Sequence, residues 1–376
     1  MRIAIVASPA LPIPPAKYGG TERVIEFLVK GLLELGQEVV LLASGDSQVD
    51  CELIPICDTH IPFELSKEKE EEAKKLRIEA EKKAIQILKD IRGRIDIIHS
   101  HGIDLTELKD FPNLTTLHGP IDFTNMDYFE SRKDLYYISI SQNQQNPMPD
   151  LNYVGTVYNG LDPEPFKFVA EPEDYLCFLG RFARMKQPHV AIQLALKLGM
   201  KLKLAGKIDF DGSDYFETEV KPYLNHPLIE YLGELGMEDK INLLSKAKCN
   251  LHPIAWREPF GLSIIESAYC GTPTLAINLG SMKELIEEGR TGVLVEDFTE
   301  GVQKIEKCFE CNREYVSQRA RLLFNYKVMA KQYVLAYEKV IEIFNQKMFE
   351  DKQAKGKFLE GSKSGLRALW ESLIRP

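Results

Sequence analysis

Two hydrophobic rhythms alternate along this chain. Near-continuous apolar runs, rich in Ile, Val and Leu, occupy residues 3–7, 38–43, 95–101, 113–120, 136–141 and 152–158, and again 175–179, 201–205, 229–233, 250–254 and 274–277. Short runs without polar alternation predict strands buried on both faces of a parallel sheet. Between them, apolar residues return at helical spacing. Val24, Ile25, Phe27, Leu28, Leu32 and Leu35 trace one helix face, and residues 189–198, 239–247 and 262–269 predict further helices. Residues 66–92 predict a long helix whose buried stripe is Ala73, Leu76, Ala80, Ala84, Ile87 and Ile91, beneath a solvated face of interleaved acids and lysines. Strand and helix in turn mean βαβ units, hence an α/β fold on parallel sheets.

The rhythm breaks near the middle. Asn159-Gly160-Leu161-Asp162-Pro163 is turn chemistry, and Pro163, Pro165 and Pro172 keep the next stretch extended. The chain therefore divides into a Rossmann-like first domain at residues 1–162, a linker at 163–173 and a Rossmann-like second domain at 174–335. Further helices follow at 336–376. A length of 376 residues suits that division.

Candidate chemistry concentrates in residues 252–295. Trp256-Arg257-Glu258-Pro259-Phe260-Gly261 reads as a loop, Leu262 opens a helix, and Cys270-Gly271-Thr272-Pro273 stops it. The first amides of that helix, around Phe260, Gly261 and Leu262, have no partners within it and carry partial positive charge, a ready site for phosphate. Glu258 lies just ahead and Glu266 one turn in. Carboxylates repel phosphate but accept from sugar hydroxyls, so a phosphate flanked by two sets of hydroxyls describes a nucleotide-sugar. By themselves the two acids read equally as a helix-start charge and a solvated side chain.

Three other places carry weight. Arg181 and Lys186 follow a strand in Gly180-Arg181-Phe182-Ala183-Arg184-Met185-Lys186, and fork and point charge together suit a diphosphate; a solvated basic turn is the plain alternative. Gly19-Gly20 precedes the first helix. It lacks the GxGxxG spacing, so no dinucleotide fingerprint is read; the pair serves a tight turn or offers amides to a phosphate. His118 ends a strand on the side where parallel sheets collect ligands, though a strand-end histidine also serves as a hydrogen-bonded structural group. His99 and His101 share a strand face, but no third ligand stands near in sequence, which argues against a metal.

The run Glu258-Pro259-Phe260-Gly261 with Glu266, then Cys-Gly-Thr-Pro and Gly289-Arg290-Thr291-Gly292-Val293-Leu294-Val295, resembles the donor-binding signature of family 4 retaining glycosyltransferases of GT-B fold. In motif order the match runs from residue 3 to about 340. The resemblance implies two domains facing across a cleft, with the last helix crossing back to the first domain. It implies a nucleoside diphosphate-sugar co-substrate, a UDP- or GDP-sugar foremost, and no cofactor or metal. Arg181, Lys186 and the Phe260–Leu262 amides would hold the diphosphate, Glu266 the ribose and Glu258 the sugar hydroxyls. Gly19, Gly20 and His118, in a Thr-x-His-Gly segment, would lie near the reacting centre, and His101 would contact the acceptor hydroxyl. Arg184 does not carry over. Pro14-Pro15-x-x-Tyr18-Gly-Gly-Thr-Glu resembles a subgroup with varied acceptors, so donor sugar and acceptor stay open. A non-catalytic nucleotide-sugar binder, or a phosphorylase or epimerase on the same fold, are the rival readings.

Composition narrows the setting. A net charge of -9 argues against a nucleic-acid partner held by bulk electrostatics. Seven scattered cysteines suit buried reduced thiols and a cytoplasmic protein, and Cys308-x-x-Cys311 stands without a second pair, so it reads as helix packing. No apolar run is long enough to span a membrane. In the tail, Leu366, Leu369, Trp370, Leu373 and Ile374 form an apolar stripe beside Lys355, Lys357, Lys363, Arg367 and Arg375. Docking on protein is favoured over peripheral membrane contact. The oligomeric state is left open.

Overall fold

The computed structural model describes residues 1–17, 19–63, 67–208 and 213–373. Tyr18 of the first-domain motif lies outside them, as do the side chains beyond residue 350 that carry the predicted tail stripe.

Among the described residues, two parallel sheets form. The first contains β1 (Arg2–Ala7), β2 (Glu38–Ser44), β3 (Glu52–Cys57), β4 (Ile97–His101), β5 (Asn113–Leu117), β6 (Tyr137–Ser139) and β7 (Tyr153–Thr156), in the order β3-β2-β1-β4-β5-β6-β7. The second contains β8 (Tyr175–Leu179), β9 (Lys201–Ala205), β10 (Ile229–Tyr231), β11 (Cys249–His252), β12 (Thr274–Ile277) and β13 (Gly292–Val295), in the order β10-β9-β8-β11-β12-β13. Each order reverses beside the sheet's first strand. At such a switch point the strand-to-helix loops splay apart and leave a crevice beyond the strands' carboxyl ends. The predicted α/β class with two Rossmann-like domains describes this architecture.

Burial explains the apolar runs. Ile3 and Ile5 face one side of the first sheet with Ile25, Leu28 and Leu41, while Ala4, Val6, Val40 and Leu42 pack on the other under Ala80, Ala84 and Leu88. The long helix Lys67–Ile91 is rotated from its predicted stripe: Leu76 is exposed, and Arg77 is buried in its place. Arg77 ion-pairs with Glu70 and donates to the Pro62 carbonyl at 3.0 Å. Its stem covers apolar surface while its guanidinium finds acceptors, so a charged residue takes a core-facing position.

The linker is fastened to the second domain. Phe166 is buried against Tyr269, Arg313 donates to the Val169 carbonyl at 2.8 Å, and Arg321 donates to the Phe166 carbonyl. The chain crosses between domains where Leu161 and Asn325 pair side by side; Leu161 N–H donates to Phe324 at 3.0 Å and Tyr326 N–H to Leu161 at 3.1 Å. From there the helix Tyr326–Leu373 returns to the first domain. Tyr333 and Tyr337 reach Thr116 and His99 in the first sheet, and Lys347 reaches Tyr136 just ahead of β6.

Candidate functional site

Two helices open toward the cleft in the same unusual way. The helix Gly20–Glu34 is capped by Gly19 at φ 151° and the helix Leu262–Tyr269 by Gly261 at φ 120°, and neither has a side-chain cap. A residue with a Cβ rarely adopts such angles. Each glycine therefore swings the chain sharply into its helix and leaves the first amides open. The two openings meet: a Cβ placed on Gly20 would lie 3.1 Å from Leu262 Cδ1 of the other domain.

The second-domain wall carries charge. Lys186, in the 3-10 turn Arg184–Lys186, ion-pairs with Glu258, brought there by an Ala255 N–H to Met185 carbonyl bond of 2.9 Å between the two loops. Among the described residues the polar contacts of the Glu258 carboxylate fall on Oε2: Lys186 Nζ, Trp256 Nε1 at 2.9 Å, and His252 Nε2 at 3.8 Å. Among the described residues Oε1 has no such contact. Glu258 is 8% exposed. Burial pushes its carboxyl up, but the Lys186 charge, His252 and the hydrogen bonds outweigh that and set it below the usual value. Gly280 supports the loop from behind, where a Cβ would sit 2.3 Å from the Glu258 carbonyl oxygen. Glu266 is likewise buried and takes Lys240 Nζ at 2.5 Å. Arg181 follows β8, half-buried. The Phe260 ring is core, packed near Tyr158 and Phe324, which leaves only its backbone toward the helix opening.

The first-domain wall is built from imidazoles. His118 Nε2 and His101 Nδ1 lie 2.8 Å apart, and the His101 ring packs on His99 with centroids at 4.1 Å. His99 is anchored between Tyr337 and Thr116, at 2.7 Å each, and Thr116 meets Tyr333 at 2.8 Å. Burial holds all three histidines neutral: His118 is pushed down to about 4, His99 to about 3, and His101 well below its ordinary value. His101, expected at the acceptor, is 3% exposed and stands behind His118, so it reaches the cleft through that ring.

Between the walls lies a small crevice lined by Pro120, Ile121, Gln144 and Pro147 from one domain and Arg257, Glu258 and Pro259 from the other. Its rim is pinned. Glu284 accepts from the Gln142 and Asn143 amides at 2.7 and 2.8 Å and from Tyr158 Oη at 3.0 Å, and Arg257 donates to Asn143 Oδ1 at 2.9 Å. Among the described residues no group of three or more His, Cys, Asp or Glu side chains is arranged to hold a metal ion, and no helix is long and apolar enough to cross a membrane.

Residues 18–150 match the family model Glycosyltransferase Family 4, and residues 163–322 match Glycosyl transferases group 1. The chain belongs to glycosyltransferase family 4. Over 345 residues this glycosyltransferase is 24% identical to the glycogen synthase of Mycobacterium tuberculosis, covering 78% of this chain and 82% of that one. Its fold is that of the GT-B enzymes. Sucrose-phosphate synthase from Thermosynechococcus elongatus superposes with a TM-score of 0.72 at 20% identity, covering 91% of this chain and 100% of the other. HepE of Anabaena, solved with UDP-glucose, superposes at 0.67 with 16% identity, covering 90% and 100%.

Sequence reasoning did not single out Trp256, Lys240, Glu284 or His252. Lys240 and Glu284 sit on helices as ordinary polar residues, and their partners are remote in sequence. His252 gave one faint signal: an imidazole at the carboxyl end of a buried strand, the same position that marked His118.

Proposed function

We propose that this glycosyltransferase moves a sugar from a UDP- or GDP-sugar to an acceptor hydroxyl, with retention at the anomeric carbon and without a metal. The carrying observation is the Lys186–Glu258 pair seated beside the open helix end at Gly261. A departing nucleoside diphosphate gains negative charge. Arg181, Lys186 and the amides at Phe260–Leu262 supply the counter-field, the role a divalent ion would otherwise fill. Glu258 Oε1 accepts from the transferred sugar's hydroxyls while Oε2 stays anchored, and Glu266 accepts from the ribose. His118, neutral, hydrogen-bonds the sugar from the opposite wall, and the amides after Gly19 face the phosphates. The acceptor enters by the crevice at Pro120 and Pro259. The UDP-glucose complex of the HepE neighbour supports the donor class.

A thermal-shift panel of UDP-, GDP- and ADP-sugars tests the donor, since a ligand that binds only the folded state raises the melting temperature. Proton NMR of the first-formed product in EDTA tests the rest. We expect a shift with a UDP- or GDP-sugar and a product of the donor's own anomeric configuration; an inverted product, or turnover that EDTA abolishes, overturns the reading.

A further inference from the structure

His252 is the anomaly of the second wall. Its side chain is 5% exposed, and its Nε2 has no hydrogen-bond partner among the described residues. A buried polar nitrogen left unpaired is rare and calls for a physical reason. It points at one atom, Glu258 Oε2, from 3.8 Å, outside bonding distance. That oxygen is already occupied by Lys186 and Trp256.

The three groups differ in how they are held. His252 closes β11, where it pairs in register with Ala276 of β12, so its ring is rigidly placed. Trp256 and Glu258 share one loop and are joined by the Trp256 Nε1–H bond to Glu258 Oε2. Lys186 sits on a long flexible stem over the Trp256 ring, 5.0 Å from its centroid, and is the one of the three that a diphosphate attracts. Burial, with Lys186 nearby, keeps the imidazole neutral, its pKa pushed down to about 4. Against a carboxylate a neutral ring is favourable only with its N–H forward.

We propose that His252 is a positioning residue that replaces Lys186 on Glu258. When the donor's diphosphate draws Lys186 off, Glu258 closes the remaining gap and His252 Nε2–H donates to Oε2. The carboxylate then keeps two protein donors, Trp256 and His252, and its Oε1 keeps its aim at the sugar. Without His252, freeing Lys186 would leave a buried carboxylate half-anchored during transfer. The inference rests on Lys186 and Glu258 forming the donor site as proposed above.

The imidazole itself reports the exchange. In protein carrying 15N-labelled histidine at pH 8, we expect the His252 Nε2–H signal to move downfield when UDP is added. In the Lys186→Met variant it should stand at the shifted position without nucleotide, because Glu258 has already lost its lysine. That arm needs no ligand, so it separates the two ideas. If UDP fails to bind the wild-type protein but Lys186→Met shifts the signal, the donor-site reading fails, and with it the diphosphate trigger, while the donation from His252 to a lysine-free Glu258 stands. If UDP binds and neither condition moves the signal, the exchange is wrong. In turnover, His252→Phe should keep UDP affinity within about threefold yet lower kcat about tenfold or more, and His252→Gln, whose amide donates, should recover most of it. Equal losses in both variants would mark His252 as mere core packing and overturn the proposal.

Discussion

The two walls of the cleft are built alike and charged differently. Gly19 and Gly261 each turn the chain into a helix with no side-chain cap, so both walls offer the same weak positive field. On the first wall the side chains behind that field are Glu22, buried in the first turn of its helix with its carboxyl pushed up toward the neutral form by burial, and the imidazoles of His99, His101 and His118, kept neutral by burial. On the second they are the ion pairs Lys186–Glu258 and Lys240–Glu266. The backbone motif therefore does not divide the labour; the side chains do. Under the proposed function, fixed charges stand where a diphosphate departs, and uncharged hydrogen-bonding groups stand where a sugar and a hydroxyl must be oriented.

The strongest way to break this contrast is to remove a charge from the second wall. Lys186→Ala leaves Glu258 buried without its cation, which should cost about 3–5 kcal/mol in denaturant unfolding and lower kcat by about a hundredfold. Lys186→Met combined with Glu258→Gln should regain most of the stability and none of the turnover. Unchanged stability in Lys186→Ala would mean that the pair is screened and the second wall resembles the first.

Acid sharpens the contrast next. His99, His118 and His252 have folded-state values of about 3, about 4 and about 4, all below the ordinary 6.5. As pH falls through 6.5 the unfolded chain takes up protons that the folded chain refuses, so stability drops, levelling at about pH 4 for His118 and His252 and at about pH 3 for His99. The limit is about 1.4 kcal/mol per pH unit for each histidine. Glu258, set below its ordinary 4.5, adds a loss only below that pH. Unfolding free energies measured from pH 7 to 4 should therefore begin to decline near pH 6.5, above the range in which Glu258 takes up its proton; a level profile above pH 5 would contradict neutral, buried imidazoles.

The smallest effect is expected at the rim that joins the walls. Glu284→Ala removes the acceptor for two amides and a phenol across the domains, with an expected cost of about 1–2 kcal/mol. In solution scattering the variant should show a larger radius of gyration than the parent. An identical profile would assign the closure to Arg257 and the crossing at Leu161 and Asn325 instead.

Much of the architecture was legible because parallel strands are buried on both faces and read as apolar runs; Tyr175–Leu179, Lys201–Ala205 and Thr274–Ile277 match their predicted limits. β3 was missed because it is an edge strand, interrupted by Pro55 and half-exposed, without the apolar run of its neighbours. The long helix was found but turned, since burying Arg77 in place of Leu76 depends on acceptors in a distant loop. At the site, Glu258, Glu266, Gly261, Arg181, Lys186 and His118 were named from local motifs. Their counter-ions and supports were not, because Lys186 and Glu258 stand 72 residues apart and nothing local says that they meet.

By itself, the order of residues determined the α/β class, the two-domain division and the positions where amides, acids and cations occur, since each depends on neighbours along the chain. Only the tertiary structure decided which acid each lysine neutralises, that His101 stands behind His118, and that His252 faces Glu258 across an unclosed gap. Those outcomes depend on how separate strands and loops come together in space, and a charge or an imidazole acquires its properties from what surrounds it there.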